Sequence, residues 1–226
     1  MSLEPATWLL LLAWGILVGV DLVSVPQAML ARPIVVGTVA GAILGDVEAG
    51  LRIGVLLELF ALDVLPVGAS WYPDYGPATV GAVAYGSVVP AWEESLGIAC
   101  AIGLTVGLLG GASLQWVRHR VVRDLNTRAD DLAAGRSAAI RGLQYRSIGR
   151  DAVRSAGLTL LALGLAEAAA RWLALDPGTS HTLTLVAIGC GLAAVIGGAL
   201  RSAGRGARMR WFVAGAAGTA LLLGIA

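Results

Sequence analysis

Apolar runs separated by short polar breaks recur along the whole chain, at about residues 6–25, 33–45, 50–68, 76–91, 96–117, 155–175, 183–200 and 209–226. A helix needs roughly 20 apolar residues to cross the hydrocarbon of a bilayer. The runs at 6–25, 96–117, 155–175, 183–200 and 209–226 meet that length and are predicted to span. Those at 33–45 and 76–91 are short, and 50–68 is interrupted by Glu58 and Asp63. Breakers crowd the same region: Pro26, Pro33, Gly45-Asp46, Pro66, Gly68, Pro73, Gly76-Pro77 and Pro90. Backbone in lipid must satisfy its own hydrogen bonds, so broken segments survive only when buried in protein or lining a watery cavity. Short, Gly/Pro-interrupted segments are therefore pointers to a solute pathway. The expected fold is all-α. It is a polytopic membrane protein with broken or re-entrant helices in its N-terminal half and a cytoplasmic helical hairpin insertion.

Composition agrees with lipid as the main solvent. The 226 residues are 57% hydrophobic and 14% charged, with a mean hydropathy of +0.79, where soluble domains carry about 25% charged residues. Charge changes the picture in one place. Residues 118–154 hold nine arginines against four acids, a net +5, and the rest of the chain holds seven against eleven, a net −4. Short Arg-rich loops stay on the cytoplasmic side, which orients the chain and accounts for the charge without nucleic acid. Val121, Leu125 and Leu132 among those charges, with Gly135 dividing the segment, predict a helical hairpin. It either lies on the membrane interface or docks a partner. We read a single membrane domain over 1–226: core transport segments to 117, the insertion at 118–154, and C-terminal transmembrane helices over 155–226.

Ionisable groups inside membrane segments cost about 2.5–3.5 kcal/mol on insertion scales and are functional candidates. Asp21, Glu58 and Asp63 qualify. Asp63 is expected at a water boundary and Glu58 in a polar network. A carboxylate accepts hydrogen bonds from solute hydroxyls, and the amide of Gln27 both donates and accepts, a combination suited to a polyol or sugar. In the stretch 64–78, five Gly or Pro residues preclude a regular helix. Gly68, Ala69 and Ser70 are small enough for a ligand to approach the backbone, Trp71 and Tyr72 could stack on a sugar face or anchor at an interface, and Asp74 is a turn former. Cys100 and Cys190 have no metal-ligand spacing. His119, in the basic segment, and His181, expected in a loop, lack a nucleophile partner. No catalytic set, cofactor or metal is expected.

The stretch LVSVPQAMLARPIVVGTVAGAILGDVEAGLRIGVLLELFALDVLPVGASWYPDYGPA resembles the membrane subunit IIC of the mannose/fructose/sorbose family of the sugar phosphotransferase system. The ordered pattern runs from Asp21 to Gln27, through Arg32-Pro33, Gly41, Gly45-Asp46, Gly50, and Gly54 with Glu58, to Gly68-Ala69 and Pro73-Asp74. The resemblance implies a bacterial inner-membrane subunit that moves a hexose together with a IID membrane subunit by an elevator-like motion. It also implies homo-oligomers of IIC–IID units and soluble IIA and IIB proteins that carry the phosphoryl group. By the same resemblance, Gln27 and Gly68-Ala69-Ser70 lie at the sugar site, Asp21, Glu58 and Asp74 support it, and Arg32, Pro33, Gly45, Asp46 and Pro73 shape the helix breaks. The chain departs from the pattern at Asp63 and Pro66, which leaves the sugar open. It also leaves room for a phosphotransferase-independent facilitator or a regulatory membrane anchor.

Overall fold

A computed structural model of the chain describes residues 4–63, 70–89, 91–173 and 175–201, with 206, 209–210 and 213–215. Every regular element among the described residues is a helix. They are α1 (Pro5–Asp21), α2 (Pro33–Leu44), α3 (Val47–Ala61), α4 (Tyr75–Gly86), α5 (Trp92–Asn126), α6 (Ala129–Ala133), α7 (Ser137–Trp172) and α8 (Pro177–Arg201). The apolar runs at 96–117, 155–175 and 183–200 fall in α5, α7 and α8, which are long and apolar enough to cross a membrane. The first run gives less helix than its length suggested. α1 ends at Asp21, and residues 22–25 join the connection to α2. Most of the expected helix at 209–226 lies outside the described residues, as do Pro66, Gly68 and Ala69.

The short run at 33–45 and the interrupted run at 50–68 become an antiparallel pair, α2 and α3. Gly45 turns the chain at φ +78°, a left-handed conformation that glycine adopts without steric cost. Asp46 then accepts the amide hydrogen of Ala49 at 2.9 Å and caps α3, a contact worth about 1 kcal/mol. Glycines four apart on both helices let the backbones touch. A Cβ on Gly37 would lie 2.3 Å from the Gly50 carbonyl oxygen, and one on Gly54 2.7 Å from that of Pro33. Small residues at this spacing are the usual route to close helix pairing in lipid, where no hydrophobic effect drives it. At the open end Glu58 pairs with Arg32 and accepts the Ile34 amide at 3.3 Å. With 12 and 15 residues the arms measure about 18 and 23 Å, short of the roughly 30 Å hydrocarbon core.

α4 is the centre of the molecule, and all twelve of its residues are buried. Asp74 caps it, and Pro77 is tolerated in the first turn because the amide it lacks has no intrahelical acceptor there. Small residues bring α1, α4 and α7 together: Gly15 against Thr159, Gly19 against Ser155, and Gly81 against Ala162. α8 packs on α5, where the Gly97 amide donates to Thr184 Oγ1 at 3.0 Å. Its end is tied to α3 by an Arg201–Asp63 ion pair at 2.7 Å.

α5 and α7 have 35 and 36 residues, or about 53 Å each, so each outruns a hydrocarbon core by about 20 Å. Their polar ends and the short α6 make the helical hairpin expected at 118–154. The hairpin has no boundary of its own, because both helices run unbroken from the apolar region into it. Its last turn belongs to the packed interior, with Asp151 buried and the Arg154 side chain 5% exposed.

Candidate functional site

A cavity of about 1030 Å³ opens where the polar extensions of α5 and α7 meet the α1–α2 connection. Asp21, Ser24, Gln27 and Arg32 line it from the connection, and Tyr72, Pro73 and Tyr75 from the segment before α4 and its first residue. Arg118 of α5 and Gln144, Ser147 and Asp151 of α7 complete its polar wall. Its size sits at the upper end of the roughly 300–1,000 Å³ common for ligand pockets.

The connection from α1 to α2 is held in an unusual backbone shape. Gln27 and Met29 have φ of +58° and +62°, a region that costs non-glycine residues about 1–2 kcal/mol each. Asp21 offsets this. Its buried carboxylate accepts the Ala28 amide hydrogen at 2.7 Å and that of Ala31 at 3.2 Å, and hydrogen bonds to a charged acceptor contribute about 1.5–3 kcal/mol. The Gln27 amide nitrogen donates to the Val23 carbonyl at 3.2 Å. The side chain is thereby folded back along the wall of the cavity.

An ionic network runs behind the cavity. Asp74 is fully buried, accepts the Gly76 amide at 3.3 Å and meets Arg154 Nη1 at 2.7 Å. Arg154 Nε lies 4.0 Å from Asp151 Oδ1, and Asp151 Oδ2 accepts the Ser24 hydroxyl hydrogen at 2.5 Å. The chain of contacts thus crosses from α4 through α7 to the α1–α2 connection. Arg118 supports the opposite wall, donating to the Ser70 carbonyl at 2.8 Å and to the Tyr72 hydroxyl at 2.9 Å.

The residues singled out in the sequence therefore take different places. Asp21, Gln27, Arg32, Pro33 and Pro73 line the cavity. Ser70 stands behind Arg118, Asp74 behind Asp151 and Arg154, and Glu58 behind Arg32. Gly45 and Asp46 shape the far tip of the α2–α3 pair. Gly68 and Ala69 lie outside the described residues. Sequence reasoning missed Ser24, Tyr75, Arg118, Gln144, Ser147 and Asp151 as lining residues. Arg118 and Asp151 sit at the two edges of the basic segment, where hydrophobic periodicity continues into charge; that continuity was the available signal. His119 contacts the Gln115 carbonyl at 2.7 Å on an exposed face. His181 is in α8 rather than in a loop, since Asp176 starts that helix by accepting from Thr179.

Hydroxyl, amide, carboxylate and guanidinium groups share one cavity, and among the described residues that line it none is His, Cys or Lys. That equips it to bind a polar solute by hydrogen bonds. Fold and site together define a polytopic all-helical membrane protein with a largely apolar cavity among its helices that carries a few polar groups. A family model described as "PTS system sorbose-specific iic component" matches residues 6–203. The chain belongs to this family, the IIC membrane subunits of the mannose/sorbose-type phosphotransferase system. It is 37% identical over 79 residues to the sorbose-specific EIIC component of Klebsiella pneumoniae, covering 35% of this chain and 29% of that protein. It is 29% identical over 141 residues to the mannose-specific EIIC component of Escherichia coli K12, covering 60% and 51%. These alignments span about half or less of the relatives' own length. Among solved structures, one described as "Structure of membrane protein" superposes at a TM-score of 0.70 with 22% identity, over 99% of this chain and 92% of that one. A mannose transporter ManYZ complex with microcin E492 superposes at 0.61 with 22% identity, over 97% and 88%. At that identity the likeness is one of fold.

Proposed function

We propose that the chain is the sugar-translocating IIC subunit of a mannose/sorbose-type phosphotransferase system. In this reading it moves a hexose across the bacterial inner membrane together with a IID partner, and soluble IIA and IIB proteins carry the phosphoryl group. The observation that carries the proposal is the cavity with polar groups at Asp21 and Gln27 in a chain of this family. A hexose presents hydroxyls that both donate and accept, and the lining offers carboxylate, amide and hydroxyl groups able to answer each. The description of the ManYZ structure as a mannose transporter supports the same solute class. The +5 segment supports a cytoplasmic position for residues 118–154.

The test is phosphoenolpyruvate-dependent uptake of hexoses into membrane vesicles supplied with IID, IIA and IIB. Uptake is expected with the wild-type chain, and Gln27→Ala is expected to lower it at least tenfold at unchanged expression. Glu58→Ala is also expected to impair uptake, through loss of the Arg32 pair at the open end of α2 and α3. Wild-type uptake in the Gln27 variant removes that residue from the site. Uptake that needs neither IIA nor IIB replaces the proposal with a facilitator.

A further inference from the structure

Three features outside the proposed sugar-contacting set share one place: Asp151 and Arg154 of α7, and Ser24 of the α1–α2 connection. Asp151 lines the cavity, yet its side chain is only 7% exposed. Oδ2 accepts the Ser24 hydroxyl, so in this geometry the carboxylate already takes a hydroxyl group from the cavity side. Oδ1 is buried and accepts no hydrogen bond from any described group, and Arg154 Nε and Nη2 beside it are likewise buried without a bond. Arg154 gives its close contact to Asp74, at 2.7 Å, and stands off from Asp151, at 4.0 Å. One guanidinium therefore serves two carboxylates and favours the one behind the cavity wall. With Oδ1 buried against Arg154, the oxygen that a solute hydroxyl can meet is Oδ2, the one Ser24 holds. A carboxylate oxygen has two lone pairs, and Ser24 fills one of those on Oδ2, so a solute hydroxyl can join or replace it there.

We propose that Asp151 is a specificity-determining residue of the transport cavity: its carboxylate accepts a hydroxyl hydrogen of the hexose, competing with Ser24, and Arg154 positions it. This rests on the reading of the chain as a sugar-translocating subunit. It adds a contact from α7, a different element from the α1–α2 connection that carries Gln27. A carboxylate that takes one hydroxyl discriminates by position on the ring, because a sugar lacking that hydroxyl leaves the acceptor unpaired.

The experiment is equilibrium binding of a parent hexose and its monodeoxy derivatives to the full chain purified with its native membrane partners. Wild-type protein is expected to lose roughly tenfold or more in affinity for one particular deoxy sugar, the equivalent of one charge-assisted hydrogen bond. Asp151→Asn is expected to weaken parent-sugar binding by a similar factor and to abolish discrimination against that same derivative. Ser24→Ala, which removes the competing hydroxyl and keeps the carboxylate, is expected to retain the discrimination and to bind the parent roughly twofold to tenfold more tightly. A uniform loss in Asp151→Asn across all derivatives overturns the proposal, since a merely structural role would act that way. Loss of discrimination in Ser24→Ala overturns it as well. Wild-type protein that binds no hexose overturns the transport reading and this contact with it. Wild-type binding without coupling at Asp151 overturns the contact alone.

Discussion

Asp74 and Arg154 form the most deeply buried ion pair among the described residues, with side chains 0% and 5% exposed. Burying two charges is expensive, and the mutual attraction repays it only while both are present. Replacing Arg154 by Met leaves the buried Asp74 carboxyl without its partner and should cost about 3–5 kcal/mol. Pairing it with Asp74→Asn should recover much of that loss. Thermal unfolding of the purified protein, run as a double-mutant cycle, measures the coupling; additive effects would show that the two side chains do not depend on each other. Asp21 works differently. It is buried alone, with two backbone amides as its partners, so Asp21→Ala should loosen residues 27–31 without unfolding the helices. Faster hydrogen exchange confined to the Ala28 and Ala31 amides is the expected signature.

At the level of helices, the α2–α3 pair depends on glycines that nothing else can replace. A Cβ on Gly50 would fall 2.2 Å from the Gly37 carbonyl oxygen. The obstacle is backbone on a capped, short hairpin, with no flexible side chain to yield. Gly50→Ala should therefore destabilise at or above the upper end of the usual 1–3 kcal/mol for overpacking. Gly189→Ala on α8, where a Cβ meets nothing within 4 Å, should be neutral or gain up to about 1 kcal/mol of helix propensity. Melting temperatures of the two variants make the comparison. These elements also show what the sequence could reveal. Long apolar runs marked the membrane-spanning helices, and Gly45-Asp46 marked a turn, because length and backbone freedom are local properties. The polarity of Asp21 and Gln27 amid apolar neighbours drew attention to the α1–α2 connection. Asp151 was invisible by the same logic. Surrounded by arginines in the sequence, it looked like a solvated charge; its place at the edge of an apolar run was the one hint, and the packing of α7 against α1 and α4 shows that it is buried. Glu58 drew attention for its apolar neighbours, yet its partner Arg32 is 26 positions away and is met only when α2 folds back on α3.

The whole molecule carries its own ruler. Trp92 and Trp116 on α5 are 41% and 58% exposed and stand 24 residues apart, about 36 Å along the helix. That span is slightly more than the hydrocarbon thickness, so each indole falls at the interface where such rings concentrate. Beyond Trp116 come Arg118 and Arg120, and α5 continues for another turn or more into the basic hairpin. The cavity straddles this level, with lining residues from Leu114 to Val122 on α5, and it therefore lies on the side of the membrane that holds the arginines. If that side is cytoplasmic, the conformation presents the cavity toward the cytoplasm. Orientation is then a direct consequence of charge, and α7 supplies the check because its two ends should be on opposite sides. In a background with Cys100 and Cys190 replaced by Ala, a cysteine at exposed Ala138 should react with a membrane-impermeant thiol reagent in inside-out vesicles only. A cysteine at Leu173, just past the other end of α7, should react in right-side-out vesicles only. Labelling of both positions from one side would mean that α7 does not cross, and the reversed pattern would put the arginine-rich hairpin outside the cell.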